Sequence, residues 1–186
     1  HPLDKSEQRL MTLDNGLAVL LVHDPNLNKS AASMNIGAGS LDNPADRQGL
    51  AHFLEHMLFL GTEKYPDADA YKQYLTTNGG YSNAYTAPDH TNYHFEVDHE
   101  GFEGALDRFA QFFIAPLFTA EYTEREVNAV HSEHQKNLQN DYWRSRQVLR
   151  DHYEAGHPNN MFSTGDLTTL GNISRDELIA FYETHY

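Results

Sequence analysis

The run His52-Phe53-Leu54-Glu55-His56 has the residue types and the spacing of a metal site. On a helix, residues four apart lie one turn apart on the same face, so His52 and His56 can grip one metal ion through their imidazole nitrogens. Glu55 lies near that face and can reach a water without ligating the metal. This is the inverted zinc motif H-x-x-E-H. With 12 histidines in 186 residues, an i,i+4 pair alone is unremarkable. A glutamate directly before the second histidine, inside an apolar helix, is much rarer. Phe53, Leu54, Met57 and Leu58 would sink that helix into a core. Two imidazoles and a carboxylate are costly there unless something satisfies them.

Zinc needs a third protein ligand and keeps one position open. The pattern at 121–138 reads as a helix and offers Glu126, His131, Glu133 and His134. Glu126 and Glu133 are seven apart and share a face. Spacing alone leaves the choice among the four open. Two histidines and a carboxylate with an open position suit zinc best, with cobalt or manganese as substitutes.

The elements that must position these groups follow from periodicity and turn chemistry. Arg9–Leu13 and Leu17–Val22 form a hairpin around Asn15-Gly16, which supplies positive φ angles. Residues 32–38 form a third strand, and Gly37 and Gly39 suggest a bulge or a close backbone approach. Helical spacing runs from Gln48 to about Leu60, with Gly61 as the stop. A second helix covers 67–77, and strands at 81–86 and 92–97 flank a turn at Pro88-Asp89. Further helices follow at 102–113, 121–138, 141–155 and 174–182, the last opened by a capping box from Ser174 and Glu177. Strands and helices come in blocks, which predicts an α+β fold, a layered roll with a mixed, antiparallel-rich sheet packed against helices.

The chain carries 27 Asp+Glu against 13 Lys+Arg, a formal net charge of −14. That balance argues against a duplex-binding protein, since phosphate contacts need basic side chains. Arg144, Arg146 and Arg150 form the only local basic cluster and read as a solvated helix face. There is no cysteine, which excludes disulfides, thiolate zinc sites and a cysteine nucleophile. No stretch approaches the ~18 apolar residues of a membrane span. The opening His1-Pro-Leu-Asp4 has no signal-peptide pattern. No G-x-G-x-x-G lies between a strand and a helix, so a dinucleotide site is not indicated.

Beyond spacing, the sequence resembles the M16 metallopeptidases, the pitrilysin and insulin-degrading-enzyme group. The similarity is carried by Gly49-Leu-Ala-His-Phe-Leu-Glu-His-Met-Leu-Phe-Leu-Gly61, Lys64-Tyr65-Pro66, Ser82-Asn83-Ala84 and His90-Thr91-Asn92-Tyr93. It continues through Glu103–Phe113 and Arg125-Glu-Val-Asn-Ala-Val130 into Ser132-Glu-His134. The resemblance implies that His52, His56 and Glu133 ligate one Zn2+ per chain and that Glu55 activates the zinc-bound water for peptide-bond hydrolysis. It implies that Glu126 orients a ligating histidine. It places Asn83 and Ala84 on an edge strand along which the substrate backbone is laid, and Phe59 and Trp143 beside the scissile bond. It further implies that residues 1–186 form a single, incomplete zinc-binding domain of a longer peptidase, truncated at the C-terminus and poorly active alone. The partners expected are peptide substrates and the remaining domains of the same polypeptide, with no nucleic acid and no membrane span. The expected compartment is periplasmic, with cytoplasmic as the alternative. Two other classes compete: a non-catalytic M16-like scaffold, and a metal-dependent hydrolase of a small molecule. An intact His-x-x-Glu-His argues against the first, and an exposed edge strand at 83–86 would argue against the second.

Overall fold

The computed structural model describes residues 5–186; the opening tetrapeptide, read above as no signal peptide, lies outside them. Strand β1 (Glu7–Thr12) pairs antiparallel with β2 (Ala18–His23). Their connection is the five-residue segment 13–17, in which the Leu13 N–H donates to the Leu17 carbonyl at 2.9 Å. Gly16 alone takes a positive φ, 88°, while the Asn15 side chain accepts from the Leu17 N–H at 3.1 Å. The Asn-Gly pair therefore makes a bulged loop and not a two-residue turn with two left-handed residues.

Strand β3 (Lys29–Ile36) starts three residues earlier than the alternation of small and apolar residues suggests, because Lys29 to Ala31 pair with Asp98 to Glu96. Helix α1 (Leu50–Leu58) follows, then α2 (Ala70–Thr77). Strands β4 (Tyr81–Thr86) and β5 (Thr91–Asp98) complete a second sheet in the order β3-β5-β4. The expected layered α+β arrangement holds, with the strands divided into two small sheets and every named strand pair antiparallel. Central β5 buries Thr91, Tyr93, Phe95 and Val97 in alternation, the period of a strand with one face on the core. Strand β4 pairs only with β5, so among the described residues one of its edges carries no strand.

The α1 end of the sheet is held by close backbone approaches. A Cβ on Gly39 would stand 2.3 Å from the Ala87 carbonyl oxygen, so the close-approach reading applies at Gly39; Gly37 has open space around it. Gly49, at φ 91°, caps α1 and would clash with Gly165 if it carried a side chain. The Asn43 side chain accepts from the Ala51 N–H at 2.8 Å and satisfies one orphan donor of α1.

Helix α3 (Phe102–Ala110) tightens into a 3-10 turn at Gln111–Phe113, where a single helix to Phe113 is expected from sequence. The chain leaves helical geometry ahead of Pro116. Helices α4 (Ala120–Asn137), α5 (Asp141–Asp151), α6 (Leu167–Leu170) and α7 (Arg175–His185) complete the chain. Helix α5 stops four residues short of Ala155, and the Tyr153 ring stacks on His157 at 5.1 Å beyond it. Ser174 and Glu177 form the expected capping box, and Arg47 reaches Glu177 at 2.5 Å, which holds that carboxyl down at about 2. The core is aromatic: Phe59, Tyr71, Tyr93, Phe95, Phe109 and Phe112 pack in edge and tilted contacts with centroids 5.0 to 6.5 Å apart. One expectation fails at the surface: Arg150, read as part of a solvated face, is the buried residue of α5.

Candidate metal centre

Helix α1 is buried on most of its surface, including Leu50, Phe53, Leu54, Met57 and Leu58. Its remaining stripe carries His52, Glu55 and His56. Helix α4 crosses that stripe and brings Glu126 and Glu133 to it. Strand β4 lies alongside and contributes Thr86.

The histidine nitrogens are sorted by their neighbours. His52 Nδ1–H donates to the Thr164 carbonyl at 2.7 Å, and His56 Nδ1 faces the Glu126 carboxylate at 3.4 Å. A proton held on each Nδ1 leaves both Nε2 lone pairs free. Glu133 Oε2 stands 3.5 Å from His52 Nε2 and 3.8 Å from His56 Nε2. One ligand atom from each of the three residues falls within 4.8 Å of the others. Atoms bound to one tetrahedral ion at about 2.0–2.2 Å lie roughly 3.4 Å apart, so the donor set fits zinc in its chemistry, and the Glu133 contacts stand close to that spacing.

The charges behave as a collected group. Burial disfavours the His56 imidazolium, yet Glu126 and Glu133 outweigh it and raise its pKa to about 9 in the metal-free chain. His56 in turn is the main cause that holds Glu126 and Glu133 below the usual carboxylate range. Arg125 also binds Glu126, at 3.1 Å. Glu55 is 7 % exposed, and burial pushes its pKa upward against the pull of His52, Thr86 and His56. The Thr86 hydroxyl donates to Glu55 at 2.6 Å and fixes the carboxylate. A carboxyl held above its ordinary value is suited to accept and return a proton near neutral pH.

A cavity of about 450 Å³ opens over these groups. It is lined by His52, Glu55, His56 and Glu133 together with Asn83, Ala84 and Trp143. Phe59 stands apart: it packs on Phe112 and Tyr93 and faces a neighbouring cavity of about 430 Å³, which also touches Asn83. Thr86 and Thr164 are absent from the residues singled out by sequence. The alternation of β4 puts Thr86 on the face of Ser82 and Ala84, so its position was available from the pattern. Thr164 acts through its backbone carbonyl, which has no side-chain signature.

No helix among the described residues is long and apolar enough to cross a membrane. A family model described as Insulinase (Peptidase family M16) matches residues 18–156. The chain is 52% identical over 190 residues to insulin-degrading enzyme-like 1, peroxisomal, of Arabidopsis thaliana, covering 98% of this chain and 20% of that protein. It is 50% identical over 192 residues to insulin-degrading enzyme of Mus musculus, covering 100% of this chain and 19% of that protein. Among solved structures, pitrilysin superposes with a TM-score of 0.94 at 41% identity, over 99% of this chain and 20% of that one. The chain thus spans about one fifth of the length of the relatives it matches. A matched family model over most of the chain, and relatives at half identity across nearly all of it, give one conclusion: the chain belongs to peptidase family M16, the insulinase family.

Proposed function

We propose that residues 1–186 form the zinc-binding domain of a longer metalloendopeptidase that hydrolyses peptide bonds of small proteins and oligopeptides. The observation that carries this reading is the convergence of His52, His56 and Glu133 beside a buried Glu55, in a cavity walled by the edge strand β4. His52, His56 and Glu133 are the ligands of one zinc per chain. Zinc bound there supplies a Lewis acid that acidifies water and polarises a carbonyl. Glu55 takes the proton from the attacking water and returns it to the leaving amine. Thr86 fixes the Glu55 carboxylate, while Thr164 and Glu126 orient the two imidazoles.

The strand-free edge of β4 accepts an extended peptide, with Asn83 and Ala84 beside the scissile bond. Main-chain pairing along an edge suits a peptide better than a small molecule. The intact base and ligand set argue against a purely structural subunit. Trp143 borders the reacting carbonyl, and Phe59 shapes the adjoining cavity. The rest of the polypeptide completes the substrate chamber, so the 186-residue chain alone turns over slowly. The lack of cysteine suits the periplasm, with the cytoplasm as the alternative.

The test is peptide hydrolysis by the complete polypeptide, wild type beside Glu55→Gln. The isosteric amide keeps the packing and the Thr86 contact but cannot take a proton. Turnover should fall by roughly 10²–10⁴-fold with zinc content unchanged. Turnover within a factor of two of wild type would remove Glu55 from the mechanism.

A further inference from the structure

A second cavity, of about 350 Å³, lies next to the metal centre between the end of α4, helix α5 and the segment at 162–164. Leu138, Trp143, Val148 and Phe162 give it apolar walls. Arg150 also lines it and is only 9 % exposed. Its guanidinium has no hydrogen bond and no ion pair among the described residues. Asp151, next in sequence, accepts from Gln147 at 2.9 Å and acts on Arg150 only from a distance, while Arg146 opposes it. Arginine does not escape burial by losing its proton, so a guanidinium this far enclosed, with no carboxylate beside it, favours an anionic partner at the surface it keeps.

Asn137 also carries an unmet donor, one closed off from the cavity itself. Its Nδ2 is buried without an acceptor, and Asn137 lines the same cavity. The chain has 27 Asp+Glu against 13 Lys+Arg, yet none of the residues lining this cavity is acidic. Two arginines and a histidine line it instead, of which Arg144 is already engaged by Asp141 at 3.2 Å. The unpaired Arg150 guanidinium among apolar walls defines the missing occupant: an acceptor carrying negative charge on a short apolar stem.

The cavity adjoins the site already described. Trp143 and Thr164 line both cavities, and the Thr164 carbonyl is the group that orients His52. A peptide laid along β4 can therefore pass one side chain beyond Trp143. We infer that this cavity is a specificity subsite for a glutamate side chain of the bound peptide, its carboxylate on Arg150 and its methylenes against Trp143 and Leu138. The inference rests on the peptidase reading of the metal centre.

Trp143 is the only tryptophan, so its fluorescence reports on the cavity directly. The experiment titrates the 186-residue chain with acetyl-Ala-Glu-Leu-amide and with its Gln counterpart. Wild type, Arg150→Met and Arg150→Lys are compared, and the zinc content of each sample is measured. The Glu peptide should bind roughly 10-fold or more tightly than the Gln peptide, the effect of a charge-assisted pair. Arg150→Met should abolish that preference, and Arg150→Lys should keep part of it. Equal binding of the two peptides by wild type, binding of neither, or a preference that survives in Arg150→Met would overturn the inference. If Arg150→Met fails to fold by circular dichroism, the wild-type comparison decides alone. A preference seen without zinc would sink the metal reading and leave the subsite, whereas zinc without preference would do the reverse.

Discussion

Helix α1 and the β1–β2 hairpin carry similar apolar content and meet opposite fates. In α1 the apolar residues vanish into the core: Phe53, Leu54 and Leu58 are 0 % exposed. In the hairpin Leu10 is 76 % exposed, Leu20 59 % and Leu21 50 %. The polar residues are reversed as well. His52, Glu55 and His56 sit half-buried or buried and are each given a partner by another element, whereas the hairpin's polar groups face solvent. Buried polar groups survive only where neighbours satisfy them. Stability and chemistry are therefore concentrated along α1, and the hairpin contributes little to either among the described residues.

That contrast can be broken most forcefully in the core. Leu54→Ala leaves a cavity directly behind the histidine stripe and should cost about 2–5 kcal/mol, read by chemical denaturation. A loss below about 1 kcal/mol would mean that α1 is not the structural centre it is taken to be. One step outward, Glu126→Gln removes the charge facing His56 Nδ1 while keeping the shape. Zinc affinity, measured by competition with a chelating dye, should fall roughly 10–100-fold. An unchanged affinity would show that Glu126 is a bystander. The smallest effect belongs to the hairpin. Leu10→Ser should shift stability by no more than about 0.5 kcal/mol, because the side chain already meets water. A loss comparable to that of Leu54→Ala would mean that the hairpin is packed in solution and would erase the contrast.

Much of this arrangement was legible in the residues. The stripe on α1 followed from helical spacing, the capping box at Ser174 from its two residues, and the β4–β5 pair from the turn at Pro88-Asp89. What stayed hidden depends on tertiary neighbours. Glu126, His131, Glu133 and His134 could not be ranked by spacing, because only the crossing of α4 over α1 decides which of them reaches His52. Helix α6 is four residues long, too short to show a period. The arginines of α5 look alike in sequence, and the burial of Arg150 depends on tertiary neighbours such as Leu138 and Phe162, which share its cavity wall. The Thr164 carbonyl could have belonged to any residue.

The central claim is that His52, His56 and Glu133 hold one metal ion. The most direct measurement is the metal content of the dialysed chain by plasma mass spectrometry, wild type beside Glu133→Gln. About one zinc per wild-type chain, sharply reduced in the variant, is the expected result for a three-ligand site. Zinc retained undiminished by Glu133→Gln, or no zinc in the wild type, would contradict the site described.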